Sequence, residues 1–542
     1  MKHIFCFLLL LCALPARAQT NPLSYTAALP GGTTCGAGNN TTTANCSGYN
    51  APPTLGAAGT STTDPDFGNK SLRITSRTSY CGEVANRSYS SAQDGSARVF
   101  NDASPPTAVL VYDAEGGAWF VQPVNLTAMT SNPASCVPIV GFGGPCGGVQ
   151  PIFAATNPNL VYCTDVDGVH FDSYNWVTLT KTQLLNISTG IPGCSITSAY
   201  LNYGDANDAW FLFSNNSQDL GTEVCAWNQS NSNTSVLNVP AATSKLNSAA
   251  PVALDNLTAG NLTGCVIHSI QPPAAGGTYF QVSFDSCSSP PSPPTSDFAY
   301  IYWQVATNHV IYTKDSSVIG GHKFLGLNAL GTGSGSCSPY VDNAMEYWLF
   351  SNFGGDPGNW AGITPCTPQA LYNFSDNHMS NLNDANDAFV DTYPYLSFQL
   401  TSTAPLAGTA YEFELDMITP SPALTNLNGS SFRTFPASVT AWRGGHSYNS
   451  AVNVQCGWMA YTGAQISGDG KFIAYTSNYM GGTGTGSGAC SGTPTQSTDL
   501  FILALPVAAS SSTPIVPPGR LPLFTYHVEN ILRNLLDSAR LR

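Results

Sequence analysis

The sequence is poor in charge. Asp, Glu, Lys and Arg make up 9% of its 542 residues, against about 25% in ordinary soluble domains, so the surface must be built from Asn, Ser, Thr and Gly rather than from ion pairs. Cations are the scarcer sign, with 18 Lys and Arg against 32 Asp and Glu. So few cannot neutralise a phosphate backbone, and nucleic acid is excluded as a partner. Beyond the first residues no apolar run approaches the ~18 residues a membrane-spanning helix needs, which argues against a transmembrane segment. There is no CxxC and no pair of His at ligand spacing near the cysteines, as a structural zinc site would require. The Gly- and Ser-rich runs at 331–336 and 481–488 carry no following Lys, so they are not phosphate loops. They also lack the strand-to-helix setting of a nucleophile elbow.

The opening MKHIFCFLLLLCALPARAQ has Lys2, an apolar stretch from Ile4 to Leu14, and the small-residue site Ala16-Arg17-Ala18. That pattern predicts a secretory signal over residues 1–18, cut after Ala18, and a chain that is secreted or periplasmic. Removing it takes away Lys2 and Arg17 and no acid, leaving 16 cations against 32 acids and a formal charge of −16. Two of the sixteen cysteines, Cys6 and Cys12, leave with the signal, so fourteen remain. An even number in an exported chain predicts disulfides. The simplest pairings are Cys35 with Cys46, Cys136 with Cys146, and Cys456 with Cys490, each stapling one loop or hairpin.

Residues 19–62 mix Thr, Gly, Asn and Ala without periodicity and read as a loop-rich lead-in. Order is expected from Thr63. Thr107 to Val124 reads as strand, Glu115-Gly116-Gly117 turn, strand, and Pro151 to Tyr174 repeats the idea around Asp167-Gly168. Three stretches align on an acidic turn followed by an aromatic strand: Leu201 to Asn216, Asn381 to Tyr395, and Ala464 to Tyr479. Each is followed by a second strand with an acid near its start, at Glu223, Glu412 and Asp499. Tyr340 to Asn352 is a looser copy, and Phe298 to Lys314 supplies two more strands. A unit that recurs in this way signals a repeat architecture.

In Ala464 to Leu505 the order is Ser, acidic-Gly turn, apolar strand, Ser, loop, Asp, apolar strand. This resembles a blade of the TolB-like, WD-type β-propellers of secreted bacterial proteins. Thr63 to Thr75, with Asp64, Asp66, Phe67 and Gly68, resembles the phrase that opens the first blade, and Asn157-Pro158-Asn159 resembles the same blade grammar. The resemblance implies an all-β fold with a single β-propeller over residues 63–508. Six to eight units fit, and seven is the expected count. A Ser/Pro linker follows at 509–524. Residues 525–542 are expected to form an amphipathic helix, because Val528, Ile531, Leu532, Leu535, Leu536 and Ala539 share one helical face. Such a helix can dock on its own chain or on a partner.

Candidate chemistry is sparse. Alternating oxygen donors at Asp205, Asn207 and Asp208, and again at Asp384, Asn386 and Asp387, suit Ca²⁺. Neither loop continues to a bidentate Glu, and Asp or Asn in such turns ordinarily caps its own backbone. Asp165-Val166-Asp167-Gly168 has the same look. His322, His378 and His446 each stand near the start of an expected blade, where first strands line a central channel. Propeller-shaped polysaccharide lyases hold a metal such as Mn²⁺ or Ca²⁺ with His clusters there; the ordinary alternative is a His bonded to a neighbouring loop. Trp360 and Trp442 read as loop aromatics that either stack on a sugar or peptide or pack on their own loop. Three functions follow: an exported non-enzymatic module binding a saccharide, peptide or envelope partner with no required cofactor; a polysaccharide lyase or hydrolase with a metal near the axis; or a structural surface protein.

Overall fold

The runs of β-branched and aromatic residues become strands, and nearly every strand pairs antiparallel with its neighbour in sequence. The computed structural model describes residues 52–238 with short interruptions, strands between 266 and 313, isolated strands between 325 and 420, and residues 439–448, 465–479 and 497–505. All of these belong to one compact unit, Pro22–Pro506. The expected signal, linker and C-terminal helix therefore lie outside the described residues.

Two strands come first, β1 (Ser61–Thr63) and β2 (Lys70–Arg73). The expected lead-in thus gives its last two residues to a strand. The second sheet contains β3 (Tyr89–Ser90), β4 (Ala108–Asp113), β5 (Ala118–Asn125), β6 (Thr130–Ser131) and β7 (Val137–Val140). Four-stranded meanders follow: β8 (Gly147–Phe153), β9 (Leu160–Thr164), β10 (His170–Asn175) and β11 (Thr180–Asn186) in the third sheet, then β12 (Tyr200–Gly204), β13 (Trp210–Ser214), β14 (Glu223–Asn228) and β15 (Thr234–Asn238) in the fourth. The fifth has β16 (Val266–Gln271), β17 (Tyr279–Asp285), β18 (Tyr300–Gln304) and β19 (His309–Thr313). Two hairpins come next, β20 (Leu325–Gly326) with β21 (Ala329–Leu330), and β22 (Ala344–Tyr347) with β23 (Gln369–Asn373). The penultimate sheet is β24 (Met379–Ser380), β25 (Phe389–Pro394), β26 (Phe413–Pro420) and β27 (Val439–His446).

The last strands, β28 (Gln465–Ile466), β29 (Phe472–Ser477) and β30 (Asp499–Ala504), do not form a sheet of their own. They join the first two in the order β1-β2-β30-β29-β28, with Ser71 opposite Leu503 and Arg73 opposite Phe501. The first and last described strands therefore share one closing sheet. First strands face first strands between several neighbouring sheets: β8 lies against β12, β12 against β16, and β24 against β28.

The closing sheet is covered on both faces, and strand periodicity explains how. Ala474, Leu500 and Ile502 enter a core with Tyr89, Val109 and Phe120 of the second sheet. Their neighbours Ile473, Tyr475, Phe501 and Leu503 point the other way, into a core with Tyr448, just past the penultimate sheet. Between the third and fourth sheets, Tyr162, Phe171, Phe211, Phe213 and Trp227 form an aromatic stack with centroids 4.7 to 6.3 Å apart. Each such side chain removed from water contributes about 1.5–3 kcal/mol.

Disulfides join Cys81 to Cys136, Cys146 to Cys163, and Cys194 to Cys225. The expected Cys136–Cys146 pair is thereby overturned. Cys146 N–H bonds Ile139 O across the β7–β8 turn, so Cys136 stands three residues, or about 10 Å, past the position facing Cys146. That is beyond the span of a disulfide. Cys35, Cys46, Cys456 and Cys490 lie outside the described residues.

Candidate functional site

Buried acids in this chain tie strands and sheets together. Asp499 opens β30 and accepts from Arg73 Nη2 at 2.6 Å, Arg73 Nε at 3.0 Å and Thr75 Oγ1 at 3.0 Å. It is wholly buried, and that burial outweighs the guanidinium and pushes its carboxyl up to about 6. Glu223 opens β14 and accepts from Ser195 N–H and Oγ at 2.6 and 2.7 Å. Asp64 accepts from His446 N–H at 2.8 Å, joining the β1–β2 turn to the end of β27.

Asp208 makes the tie between the third and fourth sheets. From the β12–β13 turn it accepts from Ala155 N–H, Thr156 N–H and Thr156 Oγ1 at 2.8, 2.8 and 2.6 Å, with Arg98 at 3.6 Å. An acidic turn was expected to cap itself; this one caps the turn of the neighbouring sheet. Asp469, in the β28–β29 turn, likewise accepts from Ser104 Oγ of the second sheet at 3.2 Å.

An exposed polar cluster lies at one end of the third sheet, around Asp165 to His170. Asp165 accepts from its neighbour Val166 N–H at 2.6 Å and from Lys181 Nζ at 2.9 Å. Lys181 also donates to Pro145 O at 3.1 Å and stands 3.3 Å from the buried Asp172 carboxylate. The Lys181 hydrogen bond holds the Asp165 carboxyl below its usual range, whereas burial pushes Asp172 up. Asp167 takes Val169 N–H and His170 N–H at 2.9 and 3.1 Å. Burial would raise its carboxyl, but these bonds and the His170 ring hold it low.

The state of His170 follows from its neighbours. Asn186 caps the short helix Ile187–Gly190 through Oδ1, which accepts from Thr189 N–H at 3.2 Å and Ser188 Oγ at 2.9 Å. Its Nδ2 is thereby turned toward His170 Nε2, 3.2 Å away, and donates to it. Nδ1 then carries the proton and donates to Asp167 Oδ2. Both ring nitrogens are engaged. The donor atoms of Asp165, Asp167 and His170 lie within 4.8 Å of one another, close enough for a cation, but the ammonium of Lys181 already supplies positive charge there and His170 Nδ1 is spent on Asp167. Cys194, Glu223 and Cys225 are equally close, yet their two sulfurs are spent in a disulfide.

Beside this cluster, Gly141 to Gly144 close a tight turn with Gly144 N–H on Gly141 O at 2.7 Å. Its central residues, Phe142 and Gly143, have φ of +48° and +76°, as a two-residue turn of the primed type requires. Glycine or asparagine adopts this backbone readily; for phenylalanine it costs about 1–2 kcal/mol. Phe142 is also 53% exposed. Arg87, itself paired with Asp113 at 2.9 Å, lies over its ring at 5.7 Å from the centroid, and Phe120 stands 5.6 Å away. Pro145, the Lys181 acceptor, follows three residues later, at most about 10 Å of chain from Phe142, and Lys181 Nζ links its carbonyl oxygen to Asp165 at 3.1 and 2.9 Å. Gly147 is required here because a Cβ would run into the Val166 backbone.

The residues singled out from sequence are scattered. His322, His378, Trp360, Asp205, Asp384, Asn386 and Asp387 lie outside the described residues. Asn207 is exposed and Asp208 buried in its tie. His446 is buried and ends a fourth strand rather than opening a first one. Trp442 stands inside β27 opposite Met417, not in a loop, because the β-rich run Val439 to Trp442 pairs with β26 throughout. Phe142 was missed; the signal for it was an aromatic set among glycines, Gly141-Phe142-Gly143-Gly144.

No family model and no curated protein matches the sequence. Among solved structures, an oligogalacturonate lyase from Vibrio parahaemolyticus is 9% identical with a TM-score of 0.41, over 83% of this chain and 98% of that one. The WD40 repeats of RRP9 are 7% identical at 0.34, over 77% and 99%. A protein described as a putative gluconolactonase is 8% identical at 0.31, over 81% and 93%. The chain resembles propeller-type folds at the level of blades. Among the described residues no helix is long and apolar enough to cross a membrane.

Proposed function

We propose that this chain is an exported β-propeller of seven sheets that works as a binding module rather than an enzyme. Its ring consists of the closing sheet, the second to fifth sheets, one sheet built on the two hairpins β20–β21 and β22–β23, and the penultimate sheet. Three disulfides suit a secreted or periplasmic protein. The carrying observation is how the buried acids and the His170 imidazole are spent among the described residues. Asp64, Asp113, Asp172, Asp208, Glu223 and Asp499 are each held by a partner, and both nitrogens of His170 are engaged. A general acid or base needs a nitrogen or oxygen within reach of substrate; groups committed in this way position loops instead. A saccharide, peptide or envelope component is the ligand, and neither Ca²⁺ nor Mn²⁺ is required.

The mature chain tested against polysaccharides and envelope extracts, with and without chelator, is expected to bind without cleaving and to keep binding after chelation. Release of shortened or unsaturated saccharide products, lost on chelation or in His378→Ala, would establish the lyase or hydrolase instead.

A further inference from the structure

We propose that Phe142 is the platform of a saccharide subsite that takes a neutral sugar ring, with Asp165 and Asp167 accepting hydrogen bonds from the sugar hydroxyls. The proposal rests on the reading of the chain as a binding module and names the ligand class and the place.

Three observations carry it. First, Phe142 sits where the backbone favours glycine, at φ +48°, between residues with no side chain to shelter it, and it keeps 53% of its surface in water. Leu179 in the β10–β11 turn also combines a positive φ, +59°, with 62% exposure, but among the positive-φ residues Phe142 alone exposes an aromatic face, and strain and exposure in such a residue point to a use. Second, the ring is held from behind. Arg87 lies over it at 5.7 Å, Asp113 fixes Arg87, and Phe120 adjoins it at 5.6 Å, so a flat apolar surface is presented in a set orientation. Third, the Lys181 contact to Pro145 brings Asp165 and Asp167 to the same end of the sheet. These carboxylates are 28% and 45% exposed. Each has room for a further donor, because a carboxylate offers about four lone-pair sites. Asp165 here receives Val166 N–H and Lys181, and Asp167 receives two backbone N–H groups and the His170 ring.

A flat aromatic beside exposed acceptors suits the apolar face and the hydroxyls of a sugar ring. A peptide would need a wider apolar surface. The other exposed large hydrophobics among the described residues are Val166, which stands between the two carboxylates, and Val177 and Leu179 in the β10–β11 turn; Val166 adds one small aliphatic side chain beside the acceptors rather than a peptide-binding surface. The sign of charge selects among sugars. Asp165, Asp167 and Asp172 outnumber Lys181 at this end, and Arg87 at the ring is offset by Asp113, so a uronate is repelled and a neutral hexose or pentose accepted.

The test is calorimetric titration of the mature chain with neutral gluco-, manno-, xylo- and malto-oligosaccharides and with oligouronates. Wild type is expected to bind a neutral oligosaccharide more tightly than any oligouronate. Phe142→Ala is expected to weaken that binding about tenfold or more, equivalent to about 1.4 kcal/mol, and Phe142→Trp to retain it. Phe142→Asn, which suits the turn backbone, is expected to lose binding without lowering the thermal midpoint, which separates the platform from a folding defect. Neutral-glycan binding that survives both Phe142→Ala and Phe142→Asn, a preference for uronates, or no glycan binding beside binding to an envelope protein would each overturn the subsite while leaving the module standing. Cleavage of the glycans would overturn the module itself.

Discussion

Asp499 is held by two nitrogens of Arg73 and by Thr75, yet its carboxyl is raised from 3.8 to about 6 because it is wholly buried. A carboxyl raised on folding binds its proton more tightly in the native state. Its contribution to stability is therefore complete below the unfolded value and is lost as pH rises through about 6. The stability of wild type minus that of Asp499→Asn, from denaturant midpoints, is expected to fall between pH 4 and pH 6 by at most about 3 kcal/mol, at about 1.36 kcal/mol per unit. A difference that grows over this range would contradict the burial argument. The acid itself was legible in the sequence as the Asp that opens the last strand, but its partner was not. Phe142 shows the same limit from the other side. Its aromatic character is plain in the sequence, while the left-handed backbone that makes it unusual appears only where the chain reverses between β7 and β8 and Val140 bridges Cys146.

Turns are the elements that join sheets. Asp208 reaches from the β12–β13 turn to Ala155 and Thr156 in the β8–β9 turn. Asp208→Ala leaves these N–H groups without their acceptor and removes the Arg98 partner, and is expected to cost about 2–4 kcal/mol. Asp208→Asn, which keeps one acceptor oxygen, is expected to cost less, and urea titration reads both. Equal losses would mean that the ion pair with Arg98 outweighs the hydrogen bonds. Strands and tight turns were legible because their signal is local: alternation in Ala108–Asp113 and Phe472–Ser477, and Gly or Asp where the chain reverses. The acidic turns were legible as repeats and suggested Ca²⁺. What such an acid binds depends on which sheet lies beside it, and nothing local in Asp205 to Ala209 specifies that. Cysteine pairing fails for the same reason, since Cys81 and Cys136 lie 55 residues apart and meet only across the second sheet.

For the molecule as a whole, the decisive contact joins its first and last described strands. Ser71 bonds Tyr475 across 404 residues at 2.6 Å, and Arg73 and Asp499 meet in the same sheet. The resemblance to propeller blades suggested a ring but not how it is closed, because strand pairing between distant segments leaves no periodic trace in either one. β2 is too short to stand alone, and it is stable because β30 offers an edge on one side and β1 covers the other. Register makes this arrangement directly testable. Ser71 and Leu503 face each other, so the double variant Ser71→Cys with Leu503→Cys, oxidised and mapped by peptide mass spectrometry, is expected to yield an intramolecular 71–503 disulfide in the monomer. A folded monomer without that link, or a link found only between two chains, would contradict a ring closed by its own ends.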